Sequence, residues 1–134
     1  MALDPKRWTQ KTQEAFTMAT GFARDRSNPE LTPEHLLLAL ISQPEGVVLP
    51  VLQRVGRAPA ELKRDLEATI EAFPSAYGGD ATMAPTTKRT FEDADRVRLE
   101  FTDEYLSTEH LLIALADRVG ITKDMLSAAV REAR

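Results

Sequence analysis

The decapeptide LTPEHLLLAL, Leu31 to Leu40, returns almost unchanged as LSTEHLLIAL, Leu106 to Leu115. At this shift of 75 positions, seven of the ten residues are identical. A repeat of this kind decides the architecture, because each copy is one supersecondary unit that must bury its apolar face against a neighbour. The match continues upstream without a gap: Thr12 meets Thr87, Phe16 meets Phe91, Ala19 meets Ala94 and Phe22 meets Val97. Those pairs carry the apolar spacing of a helix. Downstream, Arg54-Val55-Gly56 matches Arg118-Val119-Gly120 at a shift of 64, so the second copy has lost eleven residues. Eleven residues are about three helical turns, which matches one short helix.

The punctuation residues set the elements. Thr9 suits the N-cap of a first helix running to about Arg26, with Ala15, Phe16, Ala19, Phe22 and Ala23 inward. Thr32 suits a second N-cap, followed by Pro33 where its missing N–H costs nothing. A third helix covers about Val47 to Val55 and stops at Gly56; a fourth runs from Pro59 to Phe73 and stops at Pro74. Residues 74 to 85 (PSAYGGDATMAP) form a connector of Gly, Pro and small residues. The second copy predicts helices at about Thr86 to Phe101, Ser107 to Arg118 and Thr122 to Ala133. The expectation is an all-α fold of about seven helices without strands. It comprises two pseudo-twofold-related repeats at about 9–73 and 86–133, the second lacking one short helix, within a single domain spanning 1–134.

Composition narrows the function. The chain has 134 residues and no cysteine, so it carries neither a disulfide framework nor a thiolate metal site. Its net charge of −4 argues against a nucleic-acid partner, whose affinity rests on Lys and Arg neutralising phosphates. The start MALDPKRW has no apolar signal core, and the runs LLLALI and LLIALA fit helices buried on every side better than membrane spans. A cytoplasmic location and no membrane contact are therefore expected.

The repeated Thr/Ser-x-Glu-His (Thr32, Glu34, His35; Ser107, Glu109, His110) is the obvious polar constellation. Helix capping by the hydroxyl, with the glutamate favoured by the helix dipole, accounts for most of it. A metal reading would need converging histidines, and each copy offers one, so no metal is expected. No serine lies in a Gly-x-Ser-x-Gly elbow and no Gly-x-x-x-x-Gly-Lys-Ser/Thr loop occurs, so no catalytic residue, ATPase activity or cofactor is expected of this chain. Phe16 and Phe91, matched across the repeat, fit the core. A crevice between the copies, lined by apolar residues including Phe91, would alternatively accept a peptide.

Two tandem helical units, each with a TPEHLLLAL or STEHLLIAL second helix, a Gly-rich connector and the approach DEYLSTEHLL, resemble the double Clp-N repeat at the front of Clp unfoldases. The phrase Asp103 to His110, the Thr9 region and the connector at Gly78 and Gly79 are most similar to the ClpB disaggregase type. The resemblance implies a mobile, non-enzymatic module tethered to a hexameric AAA+ ring, binding unfolded or aggregated proteins or an adaptor. It implies substrate contact at Thr9, Asp103 and Glu109, and groove positions at Phe91 and Val97. In ClpC-like relatives the two repeat glutamates, here Glu34 and Glu109, contact phosphoarginine or adaptors, which defines the alternative of a ClpC-like or stand-alone adaptor module. Asp93 stands where ClpB relatives carry an apolar groove residue, implying a narrower or more polar groove.

Overall fold

The computed structural model describes residues 2–76 and 78–134. Among them the chain forms a 3-10 turn at Pro5–Arg7 and eight α-helices: α1 (Gln10–Asp25), α2 (Pro33–Ile41), α3 (Val48–Arg54), α4 (Pro59–Glu71), α5 (Pro85–Glu100), α6 (Thr108–Ala114), α7 (Ala116–Val119) and α8 (Lys123–Ala133). Two short strands, β1 (Glu30–Leu31) and β2 (Thr82–Met83), pair in parallel. The helical architecture expected is present, with boundaries displaced by one or two residues except at the end of α6.

The eighth helix corrects the expected count. The helix anticipated from Ser107 to Arg118 breaks at Leu115, and α7 follows as a separate turn ending at Gly120 in the left-handed region (φ 83°). Gly120 is the repeat mate of Gly56, which follows the last turn of α3 and also has a positive φ of 78°. The deletion in the second copy therefore removed most of the counterpart of α3 and left its final turn.

The strands are a second correction. At two residues each they present no alternation, the signal on which strand recognition depends. Their role is to lock the copies together. Thr82 N–H donates to Pro29 O and Ala84 N–H to Leu31 O, both at 3.0 Å, so the segment entering α5 pairs with the segment entering α2. The reverse exchange occurs at the other end: Thr9 N–H donates to Leu106 O (2.9 Å) and Leu106 N–H to Arg7 O (2.8 Å), pairing the entry to α1 with the entry to α6. The buried hydroxyls of Thr12 and Thr87 reinforce the same carbonyls, Leu106 O at 3.0 Å and Leu31 O at 2.7 Å. Backbone groups ahead of the helix caps would otherwise be buried without partners. Each repeat supplies them for the other.

The repeated decapeptides form the centre. Leu36, Leu37, Leu40, Leu111, Leu112, Ile113 and Leu115 are completely enclosed, and each contributes roughly 1.5–3 kcal/mol by leaving water. Helix α1 packs on α2 and α5 on α6, the same pairing in both copies, while α3 of the first copy meets α8 of the second. Trp8, entering α1, stacks on Phe91 of α5 with centroids 5.0 Å apart and tilts against Phe16 at 5.2 Å. This aromatic cluster joins the two copies.

Candidate functional site

The polar site grows from the ends of α1 and α5. Neither helix ends on glycine, yet Ser27 and Thr102 both take left-handed backbone angles, φ 54° and 56°. The turn closes with Asn28 N–H on Ala23 O (2.9 Å) and Asp103 N–H on Arg98 O (3.1 Å), the six-to-one bond of a Schellman end. The residue after the turn then lies beneath the following helix. There Asp103 Oδ2 accepts from His110 Nε2 at 2.7 Å, and Asn28 Oδ1 accepts from His35 Nε2 at 2.9 Å.

Each histidine also closes its own helix start. His35 Nδ1 accepts Thr32 N–H at 3.0 Å and His110 Nδ1 accepts Ser107 N–H at 2.9 Å. The third residue of the helix reaches back as glutamate does in a capping box. An accepting Nδ1 fixes the proton on Nε2. Burial pushes the His35 pKa down to about 4. Burial also lowers that of His110, opposed by the hydrogen bond to Asp103. Both rings act as neutral struts, adding the return bond to the hydroxyl caps expected from the sequence; Thr32 Oγ1 accepts His35 N–H at 3.4 Å.

The second copy adds charge. Arg134 Nη1 and Nη2 donate to Asp103 Oδ1 and Oδ2 at 3.1 and 2.6 Å, and Nη2 also to Glu109 Oε2 at 3.0 Å. The Asp103 carboxyl is held below its ordinary range, first by the Arg134 hydrogen bond and further by His110. Beneath, the Phe101 ring faces the guanidinium groups of Arg131 (4.1 Å) and Arg134 (5.0 Å).

The expected site residues fall into distinct groups. Asp103 and Glu109 share the Arg134 cluster. Thr9 caps α1, accepting Thr12 N–H at 3.2 Å, and its own N–H on Leu106 O ties it to the segment between those two acids. Glu34 lies elsewhere, paired with Arg118 Nε at 3.1 Å; among the described residues no hydrogen bond or ion pair joins it to Asp103 or Glu109. Phe91 is 0% exposed and packed against the rings of Trp8 and Phe16, and Val97 is 7% exposed, so neither presents open surface to a ligand. The position of Asp93 is half-buried and paired with Arg96.

Exposed apolar side chains on either side of Asp103 in sequence are Leu99 (60% exposed) and Tyr105 (46%). Leu99 sits off the buried stripe of α5, and a leucine outside its helix's apolar register was the available signal. Arg134 had no signal, since its partners lie 25 and 31 residues away. Further along α5, Ala2, Leu3, Lys88, Glu92, Asp95 and Arg96 line a shallow cleft of about 480 Å³, where the Trp8 indole N–H holds Ala2 O at 2.7 Å.

Among the described residues no group of three or more His, Asp or Glu side chains is gathered as a metal site, and no helix is long and apolar enough to cross a membrane. Interlocked helical repeats with a carboxylate pair bridged by Arg134 define a two-repeat helical module. The chain belongs to the Clp repeat (R) N-terminal domain family, whose model matches residues 7–129. It is 38% identical over 112 residues to the chaperone protein ClpB of Mycobacterium tuberculosis, a match covering 81% of this chain and 13% of that protein. The chain thus corresponds to a small fraction of the curated relatives' length. Among solved structures, the Hsp104 N-terminal domain from Candida albicans superposes with a TM-score of 0.79 at 18% identity, covering 95% of this chain and 93% of that one. A ClpV N-domain in complex with a VipB peptide gives 0.76 at 19% identity, covering 91% and 88%. Both support the fold.

Proposed function

We propose that residues 1–134 act as one N-terminal module of a ClpB-type disaggregase, which recognises unfolded or aggregated polypeptide, or an adaptor, for a cytoplasmic hexameric AAA+ ring. The module performs no chemistry itself; ATP hydrolysis belongs to the rest of the parent protein. The observation that carries this reading is the half-buried Asp103 carboxylate. It accepts from His110, Arg98 holds the backbone carbonyl of the same residue, Arg134 links it to Glu109, and exposed Leu99 and Tyr105 flank it in sequence. Exposed apolar side chains beside oriented acceptors fit an extended chain, which offers both apolar groups and N–H donors. That the ClpV N-domain was solved with a peptide supports the same use of this fold.

The proposed contact residues are Thr9, Asp103, Glu109 and Glu34, with Val97 and Phe91 reached when the aromatic cluster opens. Ordering a disordered chain consumes much of the interaction energy, so micromolar or weaker binding is expected. Titrating a permanently unfolded model protein into the labelled domain tests the reading. Amide shifts should concentrate on residues 99–109 and the start of α1; shifts confined to the face of α3 and α4 would overturn the site.

A second reading, a ClpC-like or stand-alone adaptor module that binds phosphoarginine, is favoured by one observation. Glu34 and Glu109, equivalent in the repeat, each already accept from an arginine guanidinium, Arg118 and Arg134. Free phosphoarginine shifting the amides around both glutamates would select it.

A further inference from the structure

Arg134 lies across the two carboxylates on which the proposed surface is built, making three hydrogen bonds to them. Asp103 does not depend on it for position. Its N–H is bonded to Arg98 O, its carbonyl accepts Arg98 Nη1 at 2.9 Å, and its Oδ2 accepts His110 Nε2. Glu109 lies in the first turn of α6, where the helix dipole favours a carboxylate. Phe101 keeps the Arg131 guanidinium at 4.1 Å. The notch therefore retains its shape when the Arg134 guanidinium leaves.

The Arg134 side chain is itself 34% exposed, so water competes for its guanidinium and its ion pairs are of the weaker, partly exposed kind. The first copy provides the contrast. Asn28 stands where the second copy has Asp103, and Glu34 meets Arg118 through a single Nε bond. The two-carboxylate notch is a feature of the second copy, and it is filled by the chain's own arginine.

We propose that Arg134 is an intramolecular occupant of the Asp103–Glu109 notch, which must swing out before an arginine side chain of a bound polypeptide can take its place. The inference rests on the reading above that this surface binds protein. An incoming arginine reproduces the planar fork that spans two carboxylates, whereas a lysine supplies a point charge and loses the paired geometry. Occupation from within makes the site selective: an apolar segment without arginine gains nothing from displacing Arg134, and one with arginine exchanges like for like while covering Leu99 and Tyr105.

The test uses the domain with a short labelled apolar peptide containing one arginine, its twin with glutamine there, and fluorescence anisotropy at low salt. Arg134→Gln, which removes the charge and keeps the reach, should tighten binding of the arginine peptide about two- to fivefold, the scale of a partly exposed ion pair. The glutamine twin should be unaffected, and Asp103→Asn should abolish the gain. If Arg134→Gln leaves the arginine peptide unchanged or weakens it while Asp103→Asn weakens it too, the notch binds but Arg134 does not guard it, and the inference fails. If Asp103→Asn and Glu109→Gln change nothing, the binding surface itself is misplaced and both readings fail. A readout in the unaltered protein guards against a misfolded variant: the Arg134 Nη–H resonances, whose protons make the notch bonds, should shift towards their free position as the arginine peptide saturates, and unmoved resonances at saturation overturn the proposal.

Discussion

His110 donates to the carboxylate of Asp103 at 2.7 Å, where its repeat mate His35 donates to the amide of Asn28 at 2.9 Å. One scaffold thus carries the same bond to a charged and to a neutral acceptor. The left-handed turns at Ser27 and Thr102 create it by delivering residues 28 and 103 under the next helix. In the first copy the bond serves the fold. In the second it also aims a carboxylate at the surface, and the shared backbone explains how a structural bond became the brace of a candidate site.

Asp103 should therefore respond very differently to two substitutions. Asp103→Asn keeps an oxygen for the His110 Nε2 proton, as Asn28 does for His35, and loses a partly exposed ion pair worth ~1 kcal/mol or less. Asp103→Ala leaves a buried donor without a partner, a loss of about 1–3 kcal/mol. Urea denaturation should rank alanine well below asparagine. Equal midpoints would show that the His110 bond contributes nothing.

Acid should destabilise the domain before ordinary carboxylates titrate. The folded pKa of His35 lies near 4, below its unfolded value of 6.5, and that of His110 is also lowered. Between those values the unfolded chain binds more protons, so stability is complete above pH 6.5 and falls as the pH drops towards 4. For His35 alone the full loss is on the order of 3 kcal/mol. Asp103, with a lowered folded pKa, adds a loss in the same direction at lower pH still. Melting temperatures measured from pH 7.5 to 4.5 should fall steadily, and His35→Gln should flatten the slope. A profile level down to pH 4.5 contradicts neutral, capped histidines.

Thr102 gives a stabilising prediction. A β-branched residue at φ 56° is strained, and glycine reaches that region freely. Its hydroxyl contacts the neighbouring Phe101 carbonyl and is exposed to water, so little is lost with it. Thr102→Gly should stabilise by about 0.5–1 kcal/mol, raising the melting temperature by a few degrees. A lower melting temperature would mean that unfolded-state entropy outweighs the relief of strain.

These turns mark where the sequence stops being legible. The decapeptides show α2 and α6 plainly, because each ends in five consecutive apolar residues that follow a hydroxyl cap. The matched Phe16 and Phe91 belong together in the core for the same reason, and apolar spacing locates Phe91 more directly than its implied groove role. The His–Asx bond is hidden because no glycine advertises the left-handed turn and seven residues separate the partners. The break at Leu115 is equally silent, since LLIALADRV keeps its helical pattern through it. Arg134 meets its acids through tertiary packing alone, which neither periodicity nor spacing records.

The exchanged strands yield the last prediction. Leu106 O and Leu31 O each accept one backbone N–H from the other repeat and one buried threonine hydroxyl, from Thr12 and Thr87. Replacing either threonine by valine keeps the shape but removes the hydroxyl bond, while the carbonyl retains its backbone partner. The loss should be about 1 kcal/mol for Thr87→Val, the net value of one buried hydrogen bond, and somewhat more for Thr12→Val, whose hydroxyl also bonds that of Thr9 at 2.9 Å. Thr12→Val and Thr87→Val act on different carbonyls and share no partner, so their effects should add to within about 0.5 kcal/mol in the double variant. Urea denaturation of the two single variants and the double one measures this directly. If one substitution costs far more than the other, the two seams are unequal despite matched geometry, and if the double loss greatly exceeds the sum, the seams are coupled through the core that both repeats share.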